Sequence, residues 1–175
     1  MHNDDLQALL VRRALLTPDQ VEWAVLTARG TNRTWLEEVL LVGLVDEALL
    51  CQCVSSELHV PFCRFDVLSA IGDDVLQLLP AEVAAEHRVL PLSVEPDGDL
   101  HVAMVDPSDR TALEEIHFFA GRRLVREVAV ATAIAWALHH YHGVATALWP
   151  RHRRQPSMIG DASRVDPTRR MPRTA

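Results

Sequence analysis

Apolar residues recur at helical spacing from the start of the chain. Leu6, Leu9, Leu10 and Val11 fall on one face of a helix predicted over residues 5–14. Thr17-Pro18-Asp19-Gln20 then reads as a second helix start: Thr17 can cap, Pro18 suits the first helical position, and Gln20 stands three residues after the cap. That helix carries Val21, Val25 and Ala28 and should stop near Gly30. The same order then returns. Trp35, Val39 and Leu40 give a short amphipathic helix ending at Gly43, and Asp46 caps another that holds Leu49, Leu50 and Val54. Leu15-Leu16-Thr17 and Leu44-Val45-Asp46 occupy equivalent places, which makes a degenerate repeat with a spacing of about 29 residues. Two copies are too few for a solenoid, so a four-helix unit is predicted over residues 1–58.

The pattern changes after His59-Val60-Pro61-Phe62, which is extended because a residue before proline avoids the helical region. A short helix is predicted over 73–79, and Pro80 opens another that reaches about His87. Val89–Val94 reads as a strand, Pro96-Asp97-Gly98-Asp99 has turn chemistry, and Leu100–Val105 returns as the second strand of a hairpin. A helix capped by Ser108 or Asp106 runs to Ala120, a third strand covers 123–129, and a last helix spans about 131–141. The order β-β-α-β-α predicts an α+β chain: a helical unit, then a small α/β sandwich over 59–145 with helices packed on a sheet of about three strands.

Composition adds the charge distribution. The net charge is −7, all basic residues are arginine, and hydrophobic residues make up 49%. From Arg151 onward there are seven arginines and two acids, whereas the chain before it carries ten arginines and twenty-two acids. The acidic body excludes a nucleic-acid partner, since polyanion binding needs a basic surface. The segment 146–175 is rich in Arg, Pro, Ser and Thr, has little to bury, and is predicted to be disordered. No apolar run approaches the ~18 residues of a membrane span, and Met1-His2-Asn3-Asp4-Asp5 lacks the features of a secretory signal, so a cytoplasmic location is expected.

Candidate chemistry is sparse. There is no phosphate loop, no G-x-G-x-x-G and no G-x-S-x-G, and the lack of lysine removes Schiff-base chemistry. Cys51, Cys53, His59 and Cys63 offer soft ligands, but Cys51 and Cys53 stand two apart on a helix and point about 200° away from each other. Small buried core residues in reduced form are expected instead of zinc. His139, His140 and His142 sit where the helix dipole favours them. Trp23, Trp35, Trp136 and Trp149 read as core residues or partner anchors. Asp106-Pro107-Ser108-Asp109 reads as a structural turn in which the Asp106 side chain bonds nearby amides. No catalytic residue, metal ligand or cofactor is expected.

Residues 54–143 resemble the N-terminal domain of type II secretion and type IV pilus assembly ATPases. The matching pieces run in order: Leu58-His59-Val60-Pro61-Phe62, Leu78-Leu79-Pro80, Ala84-Ala85-Glu86-His87, Val89-Leu90-Pro91-Leu92 and Leu100-His101-Val102-Ala103-Met104-Val105-Asp106-Pro107. Ala112-Leu113, Phe119-Ala120-Gly121, Ile134 and Tyr141 follow. The first 55 residues resemble the helical part that precedes this domain. In some members it holds two motifs of the form R-L-G-x-x-L-x-x-x-G-L-I-T-x-x-Q-L that bind cyclic di-GMP. Here Asp5-Leu6-Gln7 and Thr34-Trp35-Leu36 replace the two R-L-G triplets and Ala14 replaces one glycine, while Gly43 is kept. Arg12, Arg13 and Gly43 are the remaining ligand-binding candidates. The resemblance implies a stand-alone module, or a fragment of something longer, that docks without catalysis to an inner-membrane platform protein or a separate ATPase and meets the membrane only through that partner. Val21, Trp23, Val25 and Trp35 are the expected exposed partner contacts; nucleotide sensing is the alternative.

Overall fold

The computed structural model describes residues 3–31 and 33–148, with residues 3–5 described by backbone alone. Four helices come first: α1 (Asn3–Arg12), α2 (Pro18–Arg29), α3 (Trp35–Val42) and α4 (Glu47–Leu58). Their starts are built by side chains that satisfy free backbone N–H groups. Thr17 Oγ1 accepts from the Gln20 amide at 3.3 Å while Gln20 Oε1 accepts from the Thr17 amide at 2.8 Å. Thr34 and Glu37 repeat this box on α3, and Asp46 Oδ1 accepts from the Ala48 and Leu49 amides at the start of α4. The first helix ends two residues before the predicted position, because Ala14 turns left-handed with φ 55°.

The remaining elements are α5 (Phe65–Leu68), α6 (Asp73–Leu76), α7 (Ala81–His87), β1 (Val89–Val94), β2 (Leu100–Met104), α8 (Arg110–Ala120), β3 (Leu124–Val128) and α9 (Ala131–His142). The helix predicted over 73–79 is a single turn followed by the tighter bonds Leu78 N–H to Val75 O and Leu79 N–H to Leu76 O. Pro80 keeps Leu79 from continuing an α-helix. The start of α8 also differs from expectation. Its cap is Asp109, which accepts from the Ala112 amide at 3.1 Å, while Asp106 and Ser108 bond each other.

The sheet order is β1-β2-β3, with β1–β2 antiparallel and β2–β3 parallel through α8. Pro91 is tolerated because β1 is an edge strand. The other edge, β3, is partly covered by the link out of α4. There the Cys63 amide donates to Val128 O at 2.8 Å and the Val128 amide to Pro61 O at 2.9 Å. The fold is thus α+β.

Two apolar cores result. One gathers Leu90, Leu100, Val102, Met104, Ile116, Ile134 and Leu138 between sheet and helices. The other gathers Leu6, Leu9, Leu10, Val21, Trp35, Val39, Leu50 and Val54 among the four helices. The cores meet: Val128 of β3 packs in the helical core, and Val105 and Val130 touch both. Polar clasps cross the same seam. Glu47 Oε2 accepts from the Thr132 hydroxyl at 2.6 Å, and Arg88 Nε donates to Glu37 Oε1 at 3.0 Å.

Candidate functional site: a cleft between the helical and sheet halves

An open cleft of about 690 Å³ lies along this seam. Its helical wall comes from the first turn of α1, the end of α2 and the start of α3. The opposite wall comes from the end of α7 and from the loop that joins β2 to α8. Leu6-Gln7 and Thr34-Trp35-Leu36 both line it, so the structure brings together the starts of the two repeat copies. Arg29, Arg33, Arg88 and Arg110 line it as well.

These arginines differ in what holds them. Arg88 closes α7 in a left-handed conformation, φ 53°, which turns its side chain to a bidentate contact with Glu37. Glu37 is 4% exposed and also accepts from the Thr34 amide at 2.9 Å, so one buried carboxylate serves a helix cap and a contact between halves. Arg33 Nη1 reaches Glu38 Oε1 at 3.2 Å, where the Thr31 hydroxyl also donates. Arg29 and Arg110 are exposed and make no ion pair among the described residues. On the acidic side, Asp106 Oδ1 accepts from the Ser108 amide at 2.9 Å and hydroxyl at 2.5 Å. Burial pushes the Asp106 carboxyl above the ordinary range, and the Ser108 bonds oppose that shift. Pro107 O accepts from Arg126 Nη1 at 2.8 Å, which fixes the turn. Nearby on the sheet, His101 is held between Glu127 at 2.9 Å and Glu95 at 3.2 Å.

The residues singled out from the sequence are spread over the molecule. Arg12 and Arg13 both pair with Glu57 of α4, Arg13 at 2.5 Å, and neither lines the cleft. The paired guanidiniums hold the Glu57 carboxyl below its ordinary value of 4.5, with the Arg13 hydrogen bond the largest cause. Gly43 takes the left-handed turn after α3, φ 75°. Among the expected partner contacts, Val21 and Trp35 prove buried at 9% and 5%, because they belong to the apolar stripe that fills the helical core. Trp23 and Val25 are half-buried, and Val25 lines the cleft.

Cys51 and Cys63 lie in different cores, and burial pushes both thiols up to about 12. His59 closes α4 in a left-handed turn. Among the described residues no group of three or more His, Cys, Asp or Glu is placed to hold a metal ion. His140 stacks on Trp136 with centroids 4.7 Å apart, while His142 is pulled down by burial, with Nε2 unbonded. Trp149 and the segment from 149 to 175 lie outside the described residues. Sequence reading missed the arginine cleft, whose members come from three separated places in the chain, the α2–α3 junction, the end of α7 and the start of α8. It also missed Phe118 and Phe119 at the end of α8, 80% and 46% exposed, whose rings meet edge to face.

A helical half is thus clasped to a three-stranded mixed sheet, with an open cleft at the seam into which four arginines reach. The family model of the MshEN domain matches residues 59–148. The chain is 31% identical over 141 residues to the type IV pilus assembly ATPase PilB of Myxococcus xanthus, covering 78% of this chain and 24% of that protein. It is 28% identical over 138 residues to PilB of Thermus thermophilus, covering 78% and 15%. The chain therefore spans a quarter or less of the length of these relatives. Two solved structures share the fold. The N-terminal domain of XpsE superposes with a TM-score of 0.60 at 20% identity, covering 79% of this chain and 94% of that one. A structure of MshE with cdg gives 0.56 at 24%, covering 78% and 98%. The chain belongs to the MshEN domain family, the N-terminal domain of type II secretion and type IV pilus assembly ATPases. Its likeness falls on that domain and not on the motor.

Proposed function

We propose that the chain is a non-catalytic docking and regulatory module of a secretion or pilus machine. The observation that carries this reading is the family match, which falls on the N-terminal domain and not on the motor. Its partner is an inner-membrane platform protein or a separate ATPase, met on the cytoplasmic side. Membrane contact in this reading runs through that partner, and among the described residues no helix is long and apolar enough to cross a membrane. Trp23 and Val25 remain contacts to test. The division into a helical unit over 1–58, a sheet domain over 59–145 and a tail over 146–175 goes with this reading, and the family match starting at 59 supports it. A two-hybrid matrix of the full chain against the secretion and pilus proteins of its own organism tests it. Binding to a platform protein or motor is expected, and silence against every member overturns it.

A second reading, a cyclic di-GMP sensor, is supported by the convergence of both motif starts and four arginines on one cleft, and by the neighbour MshE solved with cdg. Calorimetry with the purified chain tests it, with Arg29→Ala and Arg33→Ala at the cleft and Arg12→Ala, Arg13→Ala and Gly43→Ala away from it as variants. No heat at micromolar ligand removes it.

A further inference from the structure

Four of the ten arginines in the acidic body converge on the cleft. The carboxylates facing them are Glu86, Asp106 and Asp109, and the last two are occupied by Ser108 and by the Ala112 amide. Two of the four arginines are already taken, Arg33 by Glu38 and Arg88 by Glu37. Arg29 and Arg110 are left facing solvent without an ion pair among the described residues. Helix α8 leads away from this cluster. Thr111 lines the cleft, and Phe118, seven residues on, lies on the same helix face. From Arg110 to Phe118 is about 12 Å along the axis at the usual rise per residue. Phe118 is 80% exposed and is braced edge to face by Phe119. An exposed aromatic pair beside unpaired arginines has the composition of an interface centre, where aromatic side chains and arginine are enriched. Exposed Glu114 sits between the two ends.

Resting on the docking reading above, we infer that the track from Arg29 and Arg110 to Phe118 is the docking face, and that its occupant is an acidic, apolar-tipped protein segment. The carboxylates of the partner take the arginines, a neutral stretch passes Glu114, and an aromatic or aliphatic side chain covers Phe118. The order of these features fixes the direction of the segment along α8.

Selection of a random 16-residue phage-displayed peptide library on the full chain tests this, followed by fluorescence anisotropy with the best peptide labelled with fluorescein. Selected peptides should carry a cluster of Asp or Glu at one end and an aromatic or aliphatic residue at the other. Affinity should fall at least tenfold in the double variant Arg29→Glu/Arg110→Glu and in Phe118→Ser. These side chains are exposed, and unchanged thermal midpoints verify the fold. Only the charge variant should flatten the salt dependence. Basic or carboxylate-free peptides, or equal binding to wild type and both variants, overturn the assignment. So does a concentration-dependent dimer abolished by Phe118→Ser, which gives the face to a second copy. Displacement of the peptide by cyclic di-GMP with no effect of Phe118→Ser overturns it as well. If a partner from the two-hybrid matrix binds both variants undiminished, the face falls and the docking reading stands. If the peptide behaves as expected and no partner binds, the docking reading falls instead.

Discussion

The links that close α1 and α3 are the same turn made from different residues. In the first, the Ala14 amide donates to Val11 O at 2.9 Å and the Leu15 amide to Leu10 O at 2.9 Å. In the second, the Gly43 amide donates to Leu40 O at 3.1 Å and the Leu44 amide to Val39 O at 3.0 Å. Both are the bond pattern of a Schellman end, with a left-handed residue just past the helix. Glycine takes that conformation freely, whereas alanine is strained there by its Cβ. The first turn is thus built without the residue that makes it easy. What holds Ala14 in place is packing: Leu10 and Leu16 on either side are 0% and 3% exposed, like Val39 and Val45 at 0% and 8%.

The copies differ most where the second one meets the sheet half. Glu37→Ala removes the carboxylate that binds Arg88 and caps α3, while its counterpart in the first copy is already Ala8. A loss of about 3 kcal/mol is expected from breaking so buried a pair, measured by urea unfolding. A cost under 1 kcal/mol would show that the clasp is dispensable. The glycine contrast follows, with opposite signs expected. Gly43→Ala should cost about 1 kcal/mol and Ala14→Gly should gain somewhat less, because glycine loses more entropy on folding. Equal signs would show that the two turns are not held alike. The caps come next, with Asp46→Ala and Thr17→Ala each expected to cost about 1 kcal/mol.

The smallest effect belongs to Glu57, which ties the first copy to α4. Its carboxyl is held below the ordinary 4.5 by Arg13 and Arg12. That stabilisation is complete above pH 4.5 and is lost as the pH falls through the lower folded value. Glu57→Gln should cost little at neutral pH, since both arginines are more than half exposed, 60% and 54%, and its difference from the wild type should vanish as the pH falls through the lower folded value. Thermal scans between pH 2 and 7 report it.

The local chemistry was legible in the sequence because it is local. Thr17, Gln20 and Asp46 announce their caps within three residues. The strands and the Asp106-Pro107 turn follow from short apolar runs bounded by turn residues. Val21 and Trp35 were misread as exposed contacts, although the repeat itself carried the answer. Their counterparts are Leu50 and Leu6, both buried. An amphipathic stripe marks the face a helix buries against its own chain before it marks a face for others. The one-turn α5 shows no periodicity to detect. The cleft had no signature because its arginines are gathered by tertiary contact. Phe118 stands two residues after fully buried Ile116 on the same helix, and composition alone cannot tell the inner residue from the outer.

The bridge between Phe62 and Val128 carries a consequence for synthesis. Val128 is 1% exposed within the core of the first four helices. As the chain emerges from the ribosome, those helices are complete in length some seventy residues before the side chain that finishes their core arrives. Closing so distant a contact is slow, and apolar surface stays open in the interval. The helical unit therefore reaches its native packing only after the last strand is made, and a nascent chain stalled before Val128 presents that gap to whatever chaperone or partner is nearest.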